Sequence, residues 1–226
     1  MRASIEPKIK VWDAATRLFH WGLVIGVVIC WFTGDDKGLA YRVHTVAGYV
    51  VLCLVLFRIL WGFVGNERAR FSDFVANWPT VRRYAAGLAR LKPVRYVGHN
   101  PLGGWMILLL LIVLLAIVAT GLLGAAGIRG SLLEGLLTRA QAHRFEGIHE
   151  ALANVLYILV GIHVAGVLVD MLLTRENLIR AMIDGQKPAG QPSPGDAKGG
   201  RALAAAIAAL PVMVLLIWLI AVTRFY

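Results

Sequence analysis

Four histidines on apolar segments, His20, His44, His149 and His163, are the residues of this 226-residue chain best placed to do chemistry. His149 and His163 share one long apolar run and are fourteen positions apart. At ~1.5 Å and ~100° per helical residue they stand roughly 21 Å apart and within about 40° of one face. Those are two depths in a hydrocarbon layer about 30 Å thick. An unpaired polar group in such a place costs roughly 2–7 kcal/mol, so four imidazoles without partners would be hard to tolerate. Imidazoles meeting in pairs at two levels are a means of holding two iron porphyrins by both axial positions. That ligation suits electron transfer rather than oxygen binding.

The elements that position them follow from hydropathy. Hydrophobic residues make up 58% of the chain and charged residues 16%, a balance that points to the membrane class. Runs of about 17–25 apolar residues predict five transmembrane helices. They fall at 18–33, 43–64, 102–126, 148–173 and 202–222. Lipid offers backbone amides no partner, so such spans must be helical. Pro211 should kink the fifth. Cys30 and Cys53 lie in apolar runs and form no Cys-x-x-Cys string, which excludes covalent c-type attachment and thiolate clusters and predicts inert core residues. No cleavable leader is read at the N-terminus.

Flanking cations set the orientation. Sixteen of the 23 Lys and Arg residues fall in the N-terminal arm, the 65–100 loop and the 174–201 stretch; six, including Lys37, Arg42, Arg129, Arg139, Arg144 and Arg224, fall on the opposite side. The expectation is a bacterial inner-membrane protein with a cytoplasmic N-terminus and a periplasmic C-terminus. A formal charge of +10 is then a topology signal, and no nucleic-acid partner is expected. With this orientation the depths pair uniquely: His20 with His163 in the inner half, His44 with His149 in the outer half.

Small residues, Gly22, Gly26, Gly48, Gly121, Gly161 and Gly166, would admit a flat group or simply close helix packing. Arg17 and Arg58 at inner helix ends, and Arg42 and Arg144 at outer ends, could grip haem propionates bidentately or reach lipid phosphate. His99, before Asn100-Pro101, could meet a propionate or a quinone, or merely cap a helix; His143 receives no role. In the long loop, Pro79 could open an amphipathic helix with Val81, Tyr84, Leu88 and Leu91 on one face, lying on anionic lipid. Residues 185–200, rich in Gly and Pro, read as a flexible linker.

The strings RLFHW (17–21), RVHTVAGY (42–49), RILWGFVG (58–65), GHNPLGG (98–104) and IHEALANVL with GIHVAG (148–166) together resemble bacterial cytochrome b of the b-561 type. That family includes the membrane cytochrome b subunits of nickel–iron hydrogenases. The resemblance covers about residues 11–173 and implies non-covalent haem b, two per chain, with His20, His44, His149 and His163 at the ligand positions. It further implies electron exchange between a quinone pool, ubiquinone or menaquinone, and an extracytoplasmic partner such as a c-type cytochrome, a hydrogenase or another dehydrogenase.

The expected architecture is therefore an all-α integral membrane protein. A four-helix transmembrane bundle (11–173) holds two haems, and an additional helix (202–223) lies beyond the linker. The expected function is transmembrane electron transfer. Three alternatives remain at this stage: a superoxide oxidase passing electrons to quinone, a haem-free transporter using the histidines as transient ligands, and a plain membrane anchor for another subunit.

Overall fold

A computed structural model describes residues 8–34, 38–128, 131–188 and 202–222. Five helices in it are long and apolar enough to cross a membrane: α1 (Ala14–Thr33), α2 (Leu39–Val64), α5 (Pro101–Ala125), α6 (Arg139–Thr174) and α8 (Ala202–Val222). Between them lie a 3₁₀ turn (Glu67–Ala69), the short α3 (Phe71–Phe74), α4 (Trp78–Ala89) and α7 (Leu178–Asp184). Strand β1 (Lys8–Lys10) pairs antiparallel with β2 (Gln186–Pro188), Ile9 opposite Lys187.

Local chemistry explains the boundaries. Asp13 Oδ1 accepts from the Thr16 amide at 2.7 Å and opens α1; Asn100 Oδ1 accepts from Gly103 at 2.7 Å and opens α5. Both are N-caps that satisfy donors a helix start leaves exposed. Hydropathy predicts a start at 148 for α6, but the helix begins nine residues earlier. Thr138 and Gln141 form a reciprocal capping box there, the Thr138 amide donating to Gln141 Oε1 at 3.0 Å and the Gln141 amide to Thr138 Oγ1 at 3.3 Å. His143 on this polar extension is exposed and pairs with Glu146 at 3.0 Å.

The chain divides into two compact units. One comprises Met1–Leu18, Leu60–Leu108 and Gly161–Ala205. It holds the small sheet, whose link to α7 is a pair of amides, Val11 and Trp12, donating to the Gly185 carbonyl at 2.8 and 3.2 Å. Gly185 ends α7 with φ +81°, a left-handed cap that glycine adopts without strain. Val11, Trp12 and Ala181 form a buried cluster beside it. Side chains bridge the rest of this unit. Asp13 Oδ2 accepts from Trp61 Nε1 at 3.3 Å and Asn66 Nδ2 at 3.0 Å. Asp170 accepts from Tyr84 Oη at 3.4 Å and Asn100 Nδ2 at 3.2 Å.

Two expectations change in this unit. The amphipathic helix exists as α4, and Val81 and Tyr84 are buried on it, but Leu91 lies past its end with φ 57° and is exposed. The 3.6-residue pattern runs on in sequence where the backbone has already turned at Arg90. The first residues of the expected 185–200 linker, 185–188, are regular structure instead. Gly185 is a helix cap and Gln186–Pro188 a strand, because backbone pairing to β1 orders residues whose composition reads as loop. Residues 189–201 lie outside the described residues, as do Arg2, Lys37, Arg129 and Arg224 of the charge count.

The other unit comprises Phe19–Ile59, Leu109–Val160 and Ala206–Tyr226. Its interior is apolar, with Val51, Val55, Leu111 and Leu114 buried. Helix α8 packs into it. Ala208, Val212 and Leu219 are buried along one side of α8, and Cys53 Sγ donates to the Val212 carbonyl at 3.5 Å. The helix continues through Pro211.

Candidate haem site

In the unit containing 19–59 and 109–160, two of the four histidines are brought together. The rings of His44 on α2 and His149 on α6 have centroids 6.0 Å apart and planes at 77°. Each ring is oriented by a helix carbonyl through Nδ1: His44 to Cys30 O at 3.1 Å, and His149 to Ile117 O at 2.8 Å. A carbonyl can only accept, so both nitrogens carry the proton. Nε2 is then left as the nitrogen available to a metal. Holding the second imidazole nitrogen in this way fixes the tautomer and raises ligand basicity.

The spacing fits a bis-imidazole iron. Two metal–imidazole bonds of about 2.0 Å and about 1.1 Å from each Nε2 to its ring centre give roughly 6.2 Å between centroids. A Cβ added at Gly48, one turn after His44, would meet nothing within 4 Å, so this face of α2 leaves room for a flat group. Among the described residues there is no cluster of three or more His, Cys, Asp or Glu that could hold a bare metal ion. A two-nitrogen site of this kind needs its remaining equatorial ligands from elsewhere, as a porphyrin provides.

The profile of the family described as prokaryotic cytochrome b561 matches residues 11–185. The chain belongs to the prokaryotic cytochrome b561 family. It is a multi-pass membrane b-type cytochrome, a class whose prosthetic group is haem b and whose work is electron transport. The cytochrome is 31% identical over 124 residues to a probable Ni/Fe-hydrogenase B-type cytochrome subunit of Azotobacter vinelandii, covering 43% of this chain and 51% of that protein. It is 27% identical over 211 residues to the protein so described in Cupriavidus necator, covering 78% and 86%. Over 219 residues it is 23% identical to that of Rhizobium leguminosarum bv. viciae, covering 82% and 91%. The match thus spans about half the length of the Azotobacter relative. No solved structure matches the cytochrome.

The remaining predicted residues fall in different settings. His20 lies on α1 in the same unit as the His44–His149 pair, half-buried, its ring edge-on to Trp21 at 5.1 Å. His163 lies on α6 in the other unit and is half-buried. His99 stands before α5 between two aromatic rings, Trp12 at 4.4 Å and Phe74 at 4.8 Å. Arg17 donates to the Ile183 carbonyl at the end of α7, where a cation complements the helix dipole. Arg58 is buried at 2% exposure, whereas Arg42 and Arg144 are exposed at the starts of α2 and α6.

Sequence reading missed the carbonyls of Cys30 and Ile117. Cys30 reads in sequence as an inert core residue, but its backbone oxygen orients His44. Sequence reading also missed Asp170, although the signal was present: a carboxylate seven residues after His163 lies on nearly the same helix face. In this network burial and the Asp170 carboxylate push the Tyr84 phenol up from its ordinary value. Burial pulls the Lys187 ammonium down, against Glu176 at 3.4 Å, which holds it up. Burial likewise raises Asp73, only partly offset by Arg68 at 3.0 Å.

Proposed function

We propose that this cytochrome carries two haem b groups and passes electrons across the membrane between quinone and an extracytoplasmic redox protein. The observation that supports it best is the His44–His149 pair, with both Nδ1 atoms engaged by carbonyls and ring centroids 6.0 Å apart. His44 and His149 are the proposed ligands of an outer haem. His20 and His163 are the proposed ligands of an inner one, a pairing that rests on their equal depth in the sequence-derived topology. Haem b would supply one-electron chemistry, and with two imidazoles of the chain as its ligands it would suit electron transfer rather than oxygen binding.

The chain's own residues then bind, orient and insulate. Apolar side chains of α1, α2, α5 and α6 exclude water, and the carbonyl-held imidazoles keep a fixed geometry, which limits reorganisation during electron transfer. Arg42 and Arg144 are proposed to neutralise carboxylates at the outer edge, and Arg17 and Arg58 at the inner edge. His99 is the proposed polar contact for quinone on the cytoplasmic side. A hydrogenase is the first partner to test, since the relatives named above are described as hydrogenase cytochrome subunits; a c-type cytochrome or another dehydrogenase is the other class. The N-terminus is proposed to lie in the cytoplasm of a bacterial cell and the C-terminus in the periplasm, a reading the distribution of Lys and Arg supports.

Purified His44→Ala and His149→Ala proteins test the ligand assignment by reduced-minus-oxidised spectroscopy. Each should lose the same one of two haem signals. Retention of both signals in either variant would contradict it.

A further inference from the structure

Helix α5 carries no histidine, yet its backbone and one small residue shape the seat of His149. The Ile117 carbonyl accepts from His149 Nδ1 at 2.8 Å. One turn later on the same face, a Cβ at Gly121 would lie 2.9 Å from His149 Cε1 and 3.0 Å from Nδ1. Real Cβ atoms do not approach so closely, so any side chain at 121 pushes the ring away from its acceptor. The acceptor is itself shared. Thr120 Oγ1 lies 3.0 Å from the Ile117 carbonyl and 2.8 Å from that of Ala116. The partner imidazole has a looser seat: a Cβ at Gly34 would be 3.8 Å from His44 Cε1, an ordinary contact.

We propose that Thr120 and Gly121 are positioning residues that set the orientation and Nδ1 hydrogen bond of His149, and through them the midpoint potential of the haem it binds. This rests on the reading of His149 as a haem ligand. A strong Nδ1–H···O=C bond gives the imidazole partial imidazolate character, which favours ferric iron and lowers the potential. Gly121 permits the bond by leaving space. Thr120 weakens it by drawing on the same carbonyl oxygen. The two neighbours therefore act with opposite sign.

Redox titration and electron paramagnetic resonance of the haem-loaded protein test this, with the relevant haem identified as the one lost in His149→Ala. Gly121→Ala should raise that haem's midpoint and alter its low-spin signal, or empty this site while the other haem remains. Thr120→Val keeps the shape, removes the hydroxyl and should lower the midpoint; it stands as the independent test should Gly121→Ala fail to fold. Wild-type midpoints and spectra in both variants, with the haem still lost in His149→Ala, would overturn the proposal. Retention of all haem in His149→Ala would instead overturn the ligand reading beneath it.

Discussion

The two units differ in how far carboxylates enter their internal polar contacts. In the unit containing His44 and His149, side-chain donors go to helix carbonyls: His44 to Cys30, His149 to Ile117, Cys53 to Val212, and Thr33, Thr45 and Thr120 to their own preceding turns. In the unit containing the small sheet, carbonyls also accept side-chain donors, as Ile183 does from Arg17 and Ala76 from Trp105, but carboxylates are added: Asp13 and Asp170 each accept from two side-chain donors, and Lys187 pairs with Glu176. A helix carbonyl has a spare lone pair and no net charge, so it can satisfy a donor in lipid without desolvating an ion. Carboxylates suit the other unit, where loops and helix ends must be tied together and charge can be paired. Histidine can serve as a ligand in the first environment because its second nitrogen is satisfied without an ion.

The largest effects that would break this contrast are at the histidines. His149→Ala or His44→Ala should remove about half of the haem absorbance, and His163→Ala the other half, since each proposed haem needs both axial ligands. Optical spectra of the purified variants check this. Loss of both signals from every variant would show that the pairs are not separate sites.

Next comes the carboxylate hub. Asp170→Leu leaves Tyr84 and Asn100 without their acceptor, at about 1–3 kcal/mol for each buried donor stranded. A marked fall in melting temperature in detergent is expected, with the haem proposed at His44 and His149 retained. A smaller loss, about 1 kcal/mol, is expected from Thr138→Val, which breaks the capping box at the start of α6 without touching the apolar run. Thermal unfolding of the two variants side by side orders the effects.

The smallest is a pH effect. Burial lowers the Lys187 ammonium below its ordinary 10.5. Between that lowered value and 10.5 the unfolded chain binds more protons, so this group makes stability rise with pH through that window. Below the lowered value both states are protonated and its contribution is flat. Lys187→Met should remove the alkaline rise, seen as a flatter profile of melting temperature on the alkaline side.

Much of the helical architecture was legible because five apolar runs admit only helices in lipid, and the histidines stand out against them. The proposed pairing of His44 with His149 was legible from depth alone, and the structure brings those two rings to 6.0 Å. What escaped the sequence was carried by backbone. Every residue has a carbonyl, so nothing in the letters marks Cys30 or Ile117 as the acceptor; helix contact selects them. The β1–β2 pair consists of two three-residue strands too short to show an alternation, and it forms across most of the chain. Leu91 misled because an apolar period continued after α4 had ended. Asn100 and Asp13 cap α5 and α1, and their further bonds to Asp170 and to Trp61 and Asn66 depend on tertiary packing.

The most direct measurement is the haem content of the purified single chain, quantified by pyridine haemochrome against protein and accompanied by a reduced-minus-oxidised spectrum. The account predicts two non-covalent b-type haems per chain, both low-spin and both reducible. One haem per chain, or none, would contradict it.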